Sequence, residues 1–408
     1  MRLKDISILS PRFTGQTSDD TVAFVPMESL REDAIDQKEI SVAEGSSKYT
    51  YFADNDLLIA KVTPCFENGN IAVAKDLKGG IGFGSSEIFV LRFNKQTNPR
   101  YMFYLAESSP FQDKACATMC GVGGLKRISP LFMRTYEAEF PSLKEQDAIV
   151  AYLDKQINSI NERICLRERE LQTLIKLKQS EINSVVTRGL NPAVPMKDSG
   201  IDWIGQIPES WKLKRVKDLC DYVSRGCTPD YVDDESDYMV MNQATFSKGF
   251  VDFSGVRYSS YCKKEARINK GDLLIASTGG GVLGKVLLYT ENCDKFYADT
   301  HVTIVRNTTT PIIAKYLYYY FSTRFEMINA LMAKGSTNQT ELQRDELLSH
   351  FVPAPDFQEM EAICKHLDDR MAHLSSLIAN INAQIVKLKL LKKALINEVV
   401  TGQRPIAQ

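Results

Sequence analysis

Residues 181–187 read Glu-Ile-Asn-Ser-Val-Val-Thr, and residues 395–401 read Leu-Ile-Asn-Glu-Val-Val-Thr. Position 395 follows position 181 by 214 residues, and the same offset aligns other pairs. Ala148-Ile149 and Leu153-Asp154 fall on Ala362-Ile363 and Leu367-Asp368, and Phe140-Pro141 falls on Ala354-Pro355. Apolar residues in the first copy stand at Ile149, Leu153, Ile157, Ile160, Ile164, Leu171, Leu174, Ile182 and Val185. Shifting each by 214 gives Ile363, Leu367, Met371, Leu374, Ile378, Ile385, Leu388, Ile396 and Val399, all apolar. Most steps are three, four or seven, which traces one stripe along a helix. Neither segment holds Pro or an internal Gly, and Gly189 and Gly402 stand where a helix should stop.

Each helix spans about 44 residues, hence about 66 Å at the usual rise. A stripe that long must be buried, and the other copy is the nearest candidate, which predicts a coiled coil of two helices. Packing of each helix on its own globular region is the competing arrangement.

Working outward, the globular parts correspond in short segments. Arg2-Leu3-Lys4-Asp5-Ile6 resembles Arg215-Val216-Lys217-Asp218-Leu219, and Asp56-Leu57-Leu58-Ile59-Ala60 matches Asp272-Leu273-Leu274-Ile275-Ala276. Residues 85–92 (SSEIFVLR) parallel residues 299–306 (DTHVTIVR). The last two pairs read as strands, and Tyr101–Ala106 and Tyr316–Phe321 read as helices. Residues 7–50 and 220–266 differ strongly, so similar scaffolds carry different surfaces. The expected fold is mixed α/β (α+β) with an internal repeat. A globular region covers 1–143, a long helix 144–190, and a Pro- and Gly-containing linker 191–207. A second globular region covers 208–356 and a second long helix 357–402.

The 408 residues exceed what one core supports, so at least two domains are expected. The start resembles no signal peptide, and no apolar run approaches a bilayer span, so the expected location is cytoplasmic. Nine cysteines without a C-x-x-C pair fit reduced thiols better than a disulfide framework or a zinc site. A formal net charge of −1 argues against polyanion binding by bulk charge. A local basic face, or one shared with a partner, stays possible.

Several motifs approach catalytic patterns and stop short. Gly279-Gly280-Gly281-Val282-Leu283-Gly284-Lys285 nearly spells a phosphate-binding loop. Val286 stands where that motif needs Ser or Thr, and the following residues read as strand, so a glycine-rich hairpin is expected. Asn98-Pro99-Arg100-Tyr101 resembles the base-holding motif of amino-methyltransferases, but Arg replaces its second Pro, and a Pro-started helix explains it. His301, His350, His366 and His373 form no metal-ligand spacing, and nothing composes an active site.

Three further segments, with the closing ones, carry a family resemblance. They are residues 199–211 (SGIDWIGQIPESW), residues 63–69 (TPCFENG), residues 141–149 (PSLKEQDAI), and the closing Val-Val-Thr segments. With these the chain resembles, over essentially its full length, the specificity (S) subunit of type I restriction-modification systems. Two departures stand out: the first domain lacks the Trp-Ile-Gly-x-Ile-Pro-Glu start, and Glu359-Met360 replaces Glu145-Gln146. The resemblance implies two target recognition domains separated by long helices that pair antiparallel. Each domain then reads one half of a bipartite site on double-stranded DNA. It also implies that the helices dock two modification (methyltransferase) subunits, with restriction subunits joining the full complex. No cofactor is expected on this chain; S-adenosylmethionine, ATP and magnesium belong to the partners, and no membrane is involved. On that reading the helices act as a ruler of at most roughly 20 base pairs.

Base reading needs polar side chains at groove edges and cations on phosphates. The candidates are the loop of Gly121, Lys126 and Arg127, the loop of Gly335, Ser336, Thr337 and Asn338, and the cluster Lys263, Lys264 and Arg267. Two other readings compete: a scaffold joining two ligand-binding domains through a coiled coil, and an enzyme with an unrecognised site.

Overall fold

The computed structural model describes residues 1–122, 124–335 and 340–406. Four helices organise it: α1 (Pro99–Glu107), α2 (Leu143–Arg188), α3 (Ile312–Ser322) and α4 (Phe357–Val400). The chain divides into two units, Met1–Arg169 with Asn382–Gln408, and Glu170–Ile381.

The first unit is built on two four-stranded sheets. One runs in the order Ser7–Leu9, Ile88–Phe93, Leu57–Ala60, Ile71–Val73, antiparallel throughout, with Ile88 opposite Ala60 and Leu91 opposite Leu57. Leu57–Ala60 is buried at all four positions, so it reads as a continuous apolar run rather than an alternating one. The other sheet runs Lys38–Ser41, Thr21–Val25, Ile81–Gly84, Thr50–Ala53, and Thr21–Val25 lies parallel to Ile81–Gly84.

The second unit repeats the first sheet strand for strand: Tyr222–Arg225, Val302–Arg306, Leu273–Ala276, Val286–Leu288. Its other sheet runs Tyr231–Val232, Arg257–Ser259, Tyr238–Met241, Phe296–Ala298. The parallel pair recurs as Tyr238–Met241 with Phe296–Ala298, but the fourth strand is added at the opposite edge.

Both long helices start and stop as their sequences dictate. Ser142 and Glu145 form a reciprocal cap on α2, with the Ser142 amide 2.9 Å from Glu145 Oε2. Asp356 Oδ1 accepts from the Glu359 amide at 2.9 Å on α4. Gly189 and Gly402 sit at φ 75° and 74°, the left-handed conformation that ends a helix at low steric cost.

Within each unit the helix segments run antiparallel. In the first, Lys389 Nζ lies 3.5 Å from Glu168. In the second, Arg370 donates to both oxygens of Glu181, at 2.7 and 3.0 Å, and Lys178 Nζ reaches Ser375 Oγ at 3.0 Å. The predicted stripe faces inward. Leu153, Ile157, Ile160, Ile164, Ile182, Ile363, Leu367, Met371, Leu374, Ile385 and Ile396 are buried. Ile149, Leu171, Leu174, Ile378 and Leu388 are half-buried.

Three expectations need correction. The helices are not separate from the globular parts, because each unit takes in a segment of both. In the second unit Ile182, Val185, Val186, Met360, Ile363 and Leu367 join one core with Trp211, Tyr316 and Tyr320. The competing arrangement, packing on the globular region, therefore holds alongside helix pairing. Helix α2 also ends at Arg188 and α4 at Val400, two residues short of the expected limits in each case. The stretch 191–207 is no plain linker, since Met196–Asp198 pairs antiparallel with Gln206–Pro208. Its apolar residues Ile204 and Ile207 are buried, which the Pro and Gly content concealed.

Candidate nucleic-acid interface

The frame beneath the candidate surface is anchored twice in the same way. In the first unit Arg92 donates to both oxygens of Asp56, at 2.8 and 2.6 Å, and Asp56 is 1% exposed. In the second, Arg306 grips Asp272 at 2.6 Å through two nitrogens, and Asp272 is also 1% exposed. A bidentate guanidinium–carboxylate pair satisfies a charge that burial would otherwise penalise. These hydrogen bonds hold both guanidiniums firmly charged. A second tie runs from α1 and α3 to the long helices. Tyr104 donates to Asp154 at 2.6 Å beside Arg100, and Tyr319 donates to Asp368 at 2.7 Å beside Lys315.

On this frame each unit carries a hairpin docked against the turn that follows its DLLIA strand. In the first unit Cys120–Val122 pairs with Leu125–Arg127. The Thr63 amide donates to the Lys126 carbonyl at 3.0 Å, and the Lys126 amide donates to Thr63 Oγ1 at 2.9 Å. In the second, Ala333–Lys334 pairs with Glu341–Leu342, and the Leu342 amide donates to the Ser277 carbonyl at 2.8 Å. The two candidate glycine loops therefore occupy matching places.

The candidate residues fare differently. Lys126 is exposed at this hairpin, and Arg127 is exposed but paired with Glu87 at 2.8 Å. That hydrogen bond draws the Glu87 carboxyl below its ordinary value. Gly121 is required by the hairpin itself, because a Cβ there would stand 2.1 Å from the Leu125 carbonyl oxygen. Its role is to close the hairpin. Gly124 sits at φ 80° with open space around it. Gly335 is described, at φ 139°, while Ser336, Thr337 and Asn338 lie outside the described residues. Lys263 and Lys264 are exposed at a short turn before Arg267. Arg267 is engaged structurally: it pairs with Asp294 at 2.7 Å, and its carbonyl accepts from Arg306 at 2.8 Å.

Sequence reasoning missed two surfaces. The first is the loop at 277–285, whose sequence reads only as an incomplete nucleotide motif. The second is a groove of about 590 Å³ in the first unit, whose lining includes Ser10, Arg12, Phe13, Tyr49 and Thr50. The divergence of residues 7–50 from 220–266 was the only signal of it. The hairpin reading of 279–284 agrees with the structure, since Leu273–Ala276 pairs antiparallel with Val286–Leu288 around it.

Residues 208–387 match the family model described as the type I restriction modification DNA specificity domain. The match spans 180 of the 408 residues, and the chain spans about a quarter of the length of the first two curated relatives that it matches. It is 34% identical over 157 residues to the EcoEI specificity subunit of Escherichia coli. That match covers 38% of the chain and 26% of the relative. It is 21% identical over 391 residues to the MjaVIII specificity subunit of Methanocaldococcus jannaschii, covering 93% of the chain and 85% of the relative. A chain solved in work on complex assembly and conformational transition of the type I R-M system superposes with TM-score 0.75. It shares 19% identity, and the overlap covers 99% of this chain and 97% of that one. At that identity the structural likeness establishes the fold. No helix among the described residues is long and apolar enough to cross a membrane.

Proposed function

We propose that the chain is the DNA sequence-specificity subunit of a type I restriction-modification complex. In this reading each unit recognises one half of a bipartite target. The observation that carries it is one frame built twice, with matching buried Arg–Asp pairs, under surfaces that differ. A recogniser of two unlike half-sites needs that combination.

Lys126 and Arg127 supply cations to the first surface, and Lys263 and Lys264 to the second. Phosphate contacts fix register, and donors and acceptors in the grooves read bases. With a net charge of −1, the isolated chain binds duplex DNA weakly and gains affinity from its partners. Those partners are two modification subunits and, in the full complex, restriction subunits. S-adenosylmethionine, ATP and magnesium reside on them, and this chain performs no chemistry itself. Docking is supported by apolar residues that the long helices leave exposed, among them Leu166, Val386, Leu390 and Leu391. Such a complex works in the cytoplasm.

The test is to co-express the chain with its genomically neighbouring adenine methyltransferase and sequence the methylated adenines. A bipartite motif is expected. Methylation at a single continuous motif, or none, would refute the assignment.

A further inference from the structure

Strand pairing gives the other sheet of the second unit two unlike faces. Met239, Met241, Phe296 and Ala298 pack in one core with Phe246 and Leu274. On the opposite face Tyr231 and Tyr238 stand against Ser259, Val240 against Arg257, and Tyr297 beside Val240. Residues 261–266 lie across part of that face. Cys262 and Ala266 pack with Val240 against Tyr231, Tyr238 and Tyr297, and the Tyr261 ring lies 5.9 Å from that of Tyr238. Tyr261, Lys263 and Lys264 stay exposed.

Arg257 reaches diagonally across the strands to Tyr231, and its guanidinium carbon sits 3.6 Å from the ring centroid. The side chain is exposed, and among the described residues no hydrogen bond or ion pair engages it. Its N–H donors are therefore held in place by a ring rather than by an acceptor, and are open to a ligand. The matching face of the first unit is different. Its middle pair of parallel strand residues, Phe24 and Phe83, lies against Tyr49 and Phe13, with ring centroids 4.7 and 5.5 Å apart. The arginine over Tyr51 there is Arg92, whose guanidinium is committed to Asp56.

The charge near Arg257 separates a base from a phosphate as its target. Asp233, Asp234 and Glu235 follow directly on Tyr231–Val232 and are exposed. Carboxylates repel a phosphate but accept from the amino group of cytosine, and an arginine fork matches O6 and N7 of guanine. We infer that Arg257, seated on Tyr231, reads a guanine in the half-site of the second unit. The inference rests on the DNA-specificity reading and names a specificity-determining residue within it. Seating on the ring restricts the side chain before DNA arrives, so less freedom is lost on binding. Lys263 and Lys264, on the segment that crosses the same face, supply the phosphate contacts that fix register.

The test selects bound duplexes from a random pool with the full chain and its modification subunits, and sequences the enriched motif. Arg257→Lys and Arg257→Ala each lose the guanine preference at one position of one half-site, by roughly five- to hundredfold. The other half-site and the spacer stay the same. Lysine keeps the charge without the fork, so it rescues a phosphate contact but not a bidentate guanine contact. Tyr231→Leu keeps the arginine but removes its seat, and weakens the same position by a smaller factor. An unchanged motif in both Arg257 variants would overturn the inference. So would a uniform loss of affinity in Arg257→Ala that Arg257→Lys restores with the motif intact, since that describes a phosphate contact. A pool without a bipartite motif removes the specificity reading on its own. Guanine enrichment that persists there and disappears in Arg257→Lys keeps the inference, and no guanine enrichment at all sinks it.

Discussion

In the first unit Asp56 takes two bonds from Arg92, and in the second Asp272 takes two from Arg306. Around these matching pairs the units part company. The turn after Leu57–Ala60 bonds its own amides, whereas the turn after Leu273–Ala276 runs through Gly279, Gly281 and Gly284 at φ 93°, 80° and 88°. On α1, Glu107 faces Glu32 near Lys392; three residues past the matching tyrosine of α3 stands Ser322, whose hydroxyl bonds back to Tyr319 at 2.8 Å. The difference teaches where each constraint acts. A buried charge pair must keep its geometry to exist at all, whereas a surface turn is free to follow whatever it contacts.

The largest expected effect tests the matched part. Adding one heptad to each long helix, at facing positions, lengthens each by about 10 Å, or about three base pairs of duplex. The methylated motif then keeps both half-sites and gains a longer spacer. An unchanged gap would remove the helices as its determinant.

Next in size is the shared anchor. Arg306→Ala leaves the buried Asp272 without a countercharge, keeping only the Asn269 amide at 2.6 Å, which costs about 3–5 kcal/mol. Arg92→Ala exposes Asp56 to more solvent, because the Arg92 side chain is 34% exposed against 17% for Arg306, so its cost lies at the lower end. Denaturant unfolding of the full chain measures both. A larger loss from Arg92→Ala would mean that burial does not set the difference.

A smaller effect separates the units by pH. Burial first, then the nearby Glu32, pushes the Glu107 carboxyl up to about 8. The folded state therefore keeps a proton that the unfolded chain releases near pH 4.5. Stability falls as pH rises between these values and levels off above about 8. Glu107→Gln flattens that slope and gains roughly 1–3 kcal/mol at about pH 8, after allowance for partial exposure. An identical pH profile in the variant would show the carboxyl to be ordinary.

How far the sequence foretold these features follows from their physics. The long helices were legible because one period repeats along each, and the cap and stop residues Ser142, Gly189 and Gly402 are local signals. The DLLIA strands were legible as short apolar runs. The Arg–Asp pairs were not, because Asp56 and Arg92 are 36 residues apart and only strand pairing brings them together. The hairpin at 196–208 hid behind Pro and Gly, and its buried Ile207 reveals itself only through tertiary packing. The need for Gly121 was not legible either, since the group that approaches it is the hairpin's own backbone at Leu125.

The smallest effect concerns the first hairpin itself. Lys126 and Arg127 are adjacent, exposed and alike in charge, yet they differ in what they must give up to bind a phosphate. Arg127 is held by Glu87 through three short contacts of 2.8 to 3.2 Å, so engaging DNA means exchanging one partner for another. No ion pair holds the Lys126 ammonium among the described residues. Lys126→Ala should therefore cost the assembled complex more affinity than Arg127→Ala, about 1 kcal/mol against a few tenths. Glu87→Gln should raise the contribution of Arg127 toward that of Lys126, because it removes the competing carboxylate. Filter binding of the four proteins at two salt concentrations decides it. Equal losses from the two alanine variants, unaffected by Glu87→Gln, would show that the pair with Glu87 does not restrain Arg127.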